Sequence, residues 1–270
     1  MQTLREGATG DDVRALQLAL NQRGFSPGAL DGEFGPGTEA AVLAFQHGAG
    51  LPADGVVGSR TAAALGLAEP PLAKTDPAAA GPMPGITVAI ASKMVPAAPL
   101  ANIKRNLPLV LDAMQAAGLT ALPLVLTAIA TIRVETGRFA PLDEYVSRFN
   151  TSPDGQPFDL YDFRADLGNN AVGDGAKYKG RGFVQLTGKA NYRHFGPLVG
   201  APDLADDPDR ANEPDMAAKL LAAFLQAKQT IISEALADND FARARRAVNG
   251  GTHGLADFTA SYQTGLALAS

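Results

Sequence analysis

A glutamate at the end of an apolar stretch is the first residue of this chain whose position indicates acid–base chemistry. Glu135 ends the segment LPLVLTAIATIRVE, and the Thr-Gly that follows favours a helix end. At about 100° per residue, Glu135 lies at the edge of the apolar face, beside Leu124 and Ala128. Partial shelter from water favours the protonated carboxyl that a general acid requires. The alternative is a solvated helix-end residue, or one paired with Arg133 or Arg138.

A second glutamate follows in the segment PLDEYVSRF, where the chain can return toward the helix end. Two carboxylates in different surroundings can divide the roles of general acid and general base, so Glu144 is the candidate partner. Asp143 is an alternative for the same role, and Glu144 could instead pair with Arg148 across one helical turn. Chain spacing does not give the carboxyl separation that distinguishes inverting from retaining glycosidases.

The elements that must position these carboxylates are predicted to be helices, so the fold class is mainly α. Residues 139–187 are rich in loop-forming residues, and a long irregular segment inside a helical domain usually carries function. Apolar periodicity predicts one long helix over EPDMAAKLLAAFLQAKQTIISEALA. It predicts four further helices, over LANIKRNLPLVLDAMQAAG, LPLVLTAIATIRVE, DFARARRAV and ADFTASYQTGLALA.

A proline- and alanine-rich stretch divides the chain into three parts. Residues 67–84 have little apolar periodicity and are predicted to be a linker between domains at residues 1–66 and 85–270. The first domain contains a half-repeat, D-G-x-x-G-x-x-T-x-x-A, which begins at Asp31 and again at Asp54. Each Asp-Gly predicts a tight turn before an amphipathic helix.

The first domain is predicted to be a small three-helix module of some 65 residues with one core. An earlier helix is expected at about residues 11–23. Phe34, Phe45 and Leu65 are expected in the core. Asp31, Gln46 and Asp54 are the candidates for ligand contacts, although an Asp in Asp-Gly usually serves the turn.

Composition excludes several classes of protein. The formal charge of −5, without a basic block, argues against binding to nucleic acid or to a membrane surface. The chain has no cysteine, its three histidines lack metal-ligand spacing, and GDGAKYKGRGFVQLTG lacks the ending of a phosphate loop. No cofactor or metal is implied. No signal peptide or membrane-spanning segment is predicted, and we expect a monomer.

Two family resemblances add to these inferences. Residues 4–66 resemble the peptidoglycan-binding type 1 domain in GDDVRALQLALNQRGF, DGEFGPGTEAAVLAFQ and DGVVGSRTAAAL. The segments RVETGRF, YKGRGFVQLTGKANY and AVNGG resemble, in order, the motifs of glycoside hydrolase family 19, which includes chitinases and phage or bacterial lysozymes. This resemblance implies a mainly α-helical, lysozyme-like fold. It also implies an enzyme that cleaves β-1,4 links beside N-acetylated sugars with inversion of the anomeric configuration.

The family 19 resemblance also implies roles for individual residues. Glu135 becomes the general acid, Glu144 the second catalytic carboxylate, and Thr187 a residue that holds the attacking water. The spacing of the two glutamates is similar to the shorter arrangement of the lysozyme-like members, and by the same resemblance the shorter loops favour peptidoglycan as the substrate. The implied substrate-binding residues are Gln185, Asn191, Tyr192, Asn249, Tyr178 and Arg181.

Three of these residues also have purely structural interpretations. Tyr192 could belong to the core, Asn249 could be a turn residue before two glycines, and Thr187 could cap a helix. The whole chain is interpreted as a modular phage endolysin with peptidoglycan as its partner. It would accumulate in the cytoplasm of a Gram-negative host and then reach the cell wall. The alternatives are a chitinase and a non-catalytic wall-binding protein.

Overall fold

The computed structural model describes residues 4–67 and 83–269, and the chain divides into two compact units, residues 1–73 and 74–270. Most of the predicted linker, residues 67–84, lies outside the described residues, so both of its predicted boundaries stay a prediction. Within the described ranges the structure has twelve α-helices and two short strands, which confirms the mainly α prediction.

The first unit is a three-helix module, as its pattern predicted. Its helices are α1 (Asp11–Gln22), α2 (Pro36–Gly48) and α3 (Ser59–Ala64). Pro36 begins α2, where a fixed φ and a missing N–H cost least. One apolar cluster forms the core and includes the three residues expected there; its larger members are Leu4, Val13, Leu16, Leu20, Phe34, Val42, Phe45, Val57 and Leu65.

A buried glutamine organises the first copy of the half-repeat. Gln17 Nε2 donates to Asp31 Oδ1 at 3.0 Å, to the Glu33 carbonyl at 3.1 Å and to Thr38 Oγ1 at 3.1 Å. Gln17 Oε1 accepts from the Gly32 N–H at 2.9 Å. The Asp-Gly turn and the following helix are therefore joined through one side chain.

The second copy repeats this network with different residues. Gln46 Nε2 donates to Asp54 Oδ1 at 2.9 Å, to the Val56 carbonyl at 2.9 Å and to Thr61 Oγ1 at 3.1 Å, while its Oε1 accepts from the Gly55 N–H at 3.0 Å. Gln46 is fully buried, which corrects its interpretation as a ligand contact, because a side chain without exposure has no atom to offer.

The second unit is built from nine described α-helices and a two-stranded ladder. The strands β1 (Leu142–Asp143) and β2 (Arg181–Gly182) pair antiparallel, with Leu142 opposite Gly182. The helices are α4 (Val88–Met94), α5 (Leu100–Ala116), α6 (Leu122–Glu135), α7 (Asp174–Lys177), α8 (Lys189–Leu198), α9 (Pro214–Ala227), α10 (Gln229–Ala237), α11 (Phe241–Asn249) and α12 (Leu255–Ala269).

The long helix predicted after Pro214 is two helices in the structure, α9 and α10, which corrects that prediction. The break falls at Lys228, whose φ of −108° and ψ of 4° leave the helical region. Helix α10 packs against α11 and α6, whereas α9 packs against α5. Apolar periodicity continues through both segments, so the change of packing partner was not visible in the pattern.

Helix α6 lies at the centre of the second unit and fixes the position of Glu135. It packs against α12, α10, α4 and α9, and residues 124–132 are all buried. Thr136 and Gly137 end it as predicted, with Gly137 at a φ of +61° and its N–H on the Ile132 carbonyl at 3.1 Å. In residues 4–67 and 83–269, no helix is both long enough and apolar enough to cross a bilayer.

Candidate active site

Glu135 lies at the partly sheltered end of α6, with 13% of its side chain exposed. Its Oε1 accepts hydrogen bonds from Arg245 Nη2 at 2.7 Å and from Asn249 Nδ2 at 3.1 Å, and neither bond uses Oε2. Arg133, the alternative partner, instead pairs with Asp257 at 2.7 Å. Glu135 is therefore not a solvated helix-end residue, and one carboxylate oxygen is left for a ligand.

Arg245 is a site residue that the sequence reasoning missed. Its side chain is fully buried, and its Nε donates to the His253 carbonyl at 2.9 Å. Shelter from water and an adjacent cation act in opposite directions on the protonation of a carboxyl. Burial alone therefore does not make Glu135 a general acid. The signal available in the sequence was the i, i+4 spacing of Arg245 and Asn249, which places both on one face of a helix.

Helix α11 ends where it must for Asn249 to reach Glu135. Asp240 caps its start by accepting from the Arg243 N–H at 2.8 Å, and Gly250 ends it with a φ of +74°. Asn249 is thus the last helical residue rather than a turn residue. Its side chain is exposed and donates to the Glu135 carboxylate at 3.1 Å.

Glu144 follows strand β1 and is held by three donors. Its Oε1 accepts from Tyr161 Oη at 2.8 Å and from Asn150 Nδ2 at 3.0 Å, and its Oε2 accepts from the Gly180 N–H at 3.0 Å. Burial and the bond to Glu144 raise the pKa of Tyr161, which keeps this hydroxyl protonated as a donor. The proposed pairing of Glu144 with Arg148 is replaced by this network, and Arg148 lies over the Phe149 ring at 4.9 Å.

Asn150 connects Glu144 to the turn beyond it. It is 1% exposed, and its Nδ2 also donates to the Tyr145 carbonyl at 2.8 Å. Its Oδ1 accepts from the Ser147 N–H at 2.8 Å and from Thr151 Oγ1 at 2.9 Å. All its hydrogen-bonding atoms are thus used, so the turn and the carboxylate are fixed together. Asn150 and Tyr161 were not predicted, because loop residues carry no periodic signal.

Asp143, the alternative to Glu144, is engaged by cations. Lys179 Nζ lies 3.0 Å from its Oδ2, Arg181 Nε lies 3.3 Å from its Oδ1, and Asn212 Nδ2 donates to Oδ1 at 2.7 Å. Partial burial opposes ionisation, but the hydrogen bonds from Lys179 and Asn212 outweigh it and lower the pKa of Asp143. A carboxylate paired in this way is a weak base, which favours Glu144.

Gly180 is the position where three predicted site residues converge. A Cβ added there would lie 3.0 Å from Gln185 Oε1, 3.0 Å from Thr187 Oγ1 and 3.1 Å from Glu144 Oε2. The Glu144 N–H donates to the Gly180 carbonyl at 2.8 Å, which extends the strand ladder to this point. Glycine allows this approach because it has no side chain to fill the space.

Gln185, Thr187 and Asn191 are linked along the chain beyond β2. Thr187 Oγ1 donates to the Gln185 carbonyl at 2.9 Å, and Asn191 Nδ2 donates to the Thr187 carbonyl at 2.7 Å. Gln185, with a φ of +53°, donates to the Leu142 carbonyl at 2.9 Å. The N-cap of α8 is Gly188 without a side-chain cap, so Thr187 is not a capping residue.

Tyr178, Arg181 and Tyr192 are buried beneath this surface. Tyr192 is fully buried, and its Oη donates to the Lys179 carbonyl at 2.9 Å and accepts from Arg181 Nη1 at 3.2 Å. Burial raises the pKa of Tyr192 to about 12. Tyr178 packs on Tyr192, with ring centroids 5.7 Å apart, and Arg181 pairs with Asp209 at 2.7 Å. These three residues support the site, since they have almost no surface to present to a sugar.

The arrangement therefore has two carboxylates on different supports. Glu135 is held from α11 and retains a free Oε2, and Glu144 is held at the strand ladder beside a hydroxyl and an amide. Such a pair can supply one group that gives a proton and another that orients a water. Neither role requires a nucleophile other than water.

Comparison with known proteins identifies the first unit. Residues 9–65 match the family model described as a putative peptidoglycan binding domain. The spore cortex-lytic enzyme of Bacillus cereus is 47% identical over 60 residues, which are 22% of this chain and 23% of that protein. The zinc D-Ala-D-Ala carboxypeptidase of Streptomyces albus G is 48% identical over 64 residues, which are 22% of this chain and 24% of that protein.

Two solved structures resemble longer parts of the chain. Chitinase C from Streptomyces griseus is 17% identical, and the alignment covers 68% of this chain and 76% of the chitinase chain with a TM-score of 0.41. The Burkholderia AP3 phage endolysin is 19% identical, and the alignment covers 98% of this chain and 100% of the endolysin chain with a TM-score of 0.29. These scores carry no argument about activity. The chain thus contains a putative peptidoglycan binding domain at residues 9–65.

Proposed function

We propose that this protein hydrolyses the β-1,4 glycosidic bonds of peptidoglycan by general acid–base catalysis with inversion. Residues 1–66 bind the wall, and residues 85–270 cleave it. The observation that carries this proposal is the pair of differently supported carboxylates, Glu135 on Arg245 and Glu144 at the Gly180 junction. Glu135 lies in RVETGRF, one of the motifs that resemble glycoside hydrolase family 19, and Glu144 lies between that motif and the next.

Glu135 acts as the general acid in this proposal. Its Oε1 is occupied by Arg245 and Asn249, so Oε2 delivers the proton to the leaving glycosidic oxygen. The carboxylate that remains is stabilised by the buried guanidinium at 2.7 Å. The ion pair therefore favours the product of proton transfer and fixes the direction of the side chain.

Glu144 acts as the general base and Thr187 helps to hold the attacking water. The Glu144 carboxylate and the Thr187 hydroxyl both approach Gly180, and Thr187 already donates its proton to the Gln185 carbonyl, so a water between them would donate to both oxygens. Gln185 approaches the same point and supplies an amide suited to sugar hydroxyl or acetamido groups. Asn191 and Asn249 complete the polar lining that we assign to the substrate.

The wall-binding role of the first unit is supported by its relatives. The matched segment occurs in a spore cortex-lytic enzyme and in a zinc D-Ala-D-Ala carboxypeptidase, whose names describe different activities. The feature shared with both is the segment that matches a putative peptidoglycan binding domain. A common attachment module explains this distribution. We propose that lysis of a Gram-negative host from its cytoplasm, as by an endolysin, is the biological setting.

Mass spectrometry of digested peptidoglycan tests the activity. Products with reducing N-acetylmuramic acid ends support muramidase action, and reducing N-acetylglucosamine ends indicate the other β-1,4 link. Released stem peptides without new reducing ends would reject a glycosidase. The anomeric form of the first product, followed by NMR, tests inversion. Faster turnover of a soluble chitin oligomer than of peptidoglycan would favour a chitinase, and no product from either would favour a wall-binding protein.

A further inference from the structure

The two copies of the half-repeat differ in the loop that precedes each Asp-Gly turn. In the first copy Gln17 and Asp31 are 14 residues apart, and in the second Gln46 and Asp54 are 8 residues apart. The hydrogen-bond network is the same in both, so the extra residues of the first loop are not needed to build it. They have another structural effect.

The longer loop closes the surface of the first copy. Thr38 Oγ1 donates to the Pro27 carbonyl at 3.5 Å, and a Cβ at Gly37 would lie only 2.9 Å from that oxygen. Pro27 therefore covers this position and requires glycine there. The equivalent residue of the second copy, which also precedes the repeat threonine, is Arg60. An arginine at this place has room only because the shorter loop leaves the position uncovered.

A pocket of about 200 Å³ lies at this uncovered position, which we call the second-copy pocket. Its lining includes the exposed Arg60 guanidinium, the Asp54 carboxylate and the apolar side chains of Leu51, Pro52 and Val56. Asp54 Oδ1 is used by Gln46 and by the Val56 N–H, and neither bond uses Oδ2. The pocket thus offers a cation, a carboxylate oxygen and an apolar wall.

This chemistry fits one residue of an acidic peptide better than a sugar. Guanidinium groups bind carboxylates with two parallel hydrogen bonds, and apolar walls receive an aliphatic chain. Pockets for drug-sized ligands begin at about 300 Å³. At about 200 Å³, the second-copy pocket has room for one amino-acid residue with a free carboxylate. Asp54 Oδ2 could receive an ammonium group of the same residue.

We propose that the second-copy pocket binds a carboxylate-bearing residue of the peptidoglycan stem peptides, with Arg60 as the carboxylate ligand. This inference rests on the proposed wall-binding function and names the part of the wall that is recognised. The first unit then binds the peptide while the second unit cleaves the glycan. Binding and cleavage would use different chemical components of one polymer.

The chain offers a matched pair of variants to test this. Gly58 lines the pocket and Gly35 occupies the equivalent position of the first copy, each N–H donating to the carbonyl two residues earlier. A Cβ at either glycine would meet no atom within 4 Å, and neither has a positive φ. Gly58→Leu therefore has room for its Cβ and places an apolar side chain at the pocket, and Gly35→Leu makes the same change in the first copy.

The assay measures co-sedimentation of the full chain at 4 °C with intact sacculi and with sacculi whose stem peptides were removed by an amidase. Gly58→Leu and Arg60→Ala should each weaken binding to intact sacculi at least about 10-fold, the scale of one lost charge-assisted hydrogen bond. Arg14→Ala removes the same charge from the first copy. This variant and Gly35→Leu should bind intact sacculi like the wild type. Released stem peptides should compete with the sacculi.

Two results would overturn the inference. Wild-type binding that survives removal of the stem peptides, beyond the binding of residues 85–270 alone, would show that the glycan is the ligand of the first unit. Equal losses for Gly58→Leu and Gly35→Leu would show that the pocket is not the site. A wild-type chain that does not sediment with intact sacculi would contradict the wall-binding function itself. Melting curves of each variant separate lost binding from lost folding.

Discussion

Replacing Glu135 by glutamine should affect both turnover and stability, and the two effects have separate causes. The amide keeps the size of the side chain and one acceptor, but it cannot donate the proton required by the proposed mechanism. Turnover on peptidoglycan should fall by at least about 100-fold, the lower scale of general acid catalysis. Circular dichroism should still show a folded, mainly helical protein.

The stability effect follows from Arg245, whose side chain is fully buried. Removing one partner of a buried ion pair costs about 3–5 kcal/mol, because the remaining charge is uncompensated. The amide oxygen introduced by Glu135→Gln would still accept from the guanidinium, so the lower end, about 3 kcal/mol, is expected. For a unit of this size, each kcal/mol lowers Tm by about 2–4 °C, which gives a fall of about 6–12 °C.

A variant that loses stability elsewhere separates these effects. Ile103 is fully buried on α5, and Ile103→Ala should cost about 2–5 kcal/mol without touching either carboxylate. Assayed at 25 °C, where both variants are folded, Ile103→Ala should retain most of the wild-type turnover. The mechanism is wrong if folded Glu135→Gln retains more than about a tenth of it. An unchanged Tm would refute the argument from the buried ion pair.

Four further predictions concern other parts of the chain. Glu144→Gln should lower turnover at least about 100-fold and Thr187→Ala by less, since other groups can hold a water; equal activity of Glu144→Gln and wild type would remove Glu144 from the mechanism. Gly180→Ala should lower turnover at least about 10-fold because its Cβ would lie within 3.1 Å of three site oxygens, whereas Gly85→Ala, with no atom within 4 Å, should not. A hydrogen bond from Gln17 lowers the pKa of Asp31 below 3.8, and one from the Val56 N–H does the same for Asp54. The two carboxylates therefore stabilise the first unit above about pH 4, and this contribution is lost on acidification. The double variant Asp31→Asn, Asp54→Asn should flatten the fall of the first unit's Tm between pH 6 and 3. Residues 1–66 alone should co-sediment with peptidoglycan while residues 85–270 alone bind it less, and equal retention of both fragments would contradict this division of roles.

Local patterns predicted the features that depend on neighbouring residues. The apolar run placed Glu135 at a partly sheltered helix end, and Thr136 and Gly137 ended that helix as their types indicate. The two Asp-Gly turns were predicted because glycine and aspartate determine turn geometry over a few residues. The same short range explains the prediction of α1, α2 and α3.

Features that depend on distant partners were not predictable in the same way. Arg245 is 110 residues from Glu135, and no local property of its helix indicates which carboxylate it meets. Family resemblance placed Tyr192 and Arg181 at the site, but a motif gives position along the chain and not exposure. Burial depends on how α8 packs against α9, which the sequence alone does not specify.

The Glu135–Arg245 pair also has a consequence for synthesis of the protein. Every predicted catalytic residue is translated by residue 187, but the guanidinium partner of Glu135 comes 110 residues after it. At about 5–20 residues per second, a ribosome needs about 6–22 s to cover that interval. Until α11 has formed and docked, the nascent chain contains both carboxylates without the cation that orients one of them. The orientation of Glu135 by its cation is thus delayed until α11 has been translated and docked.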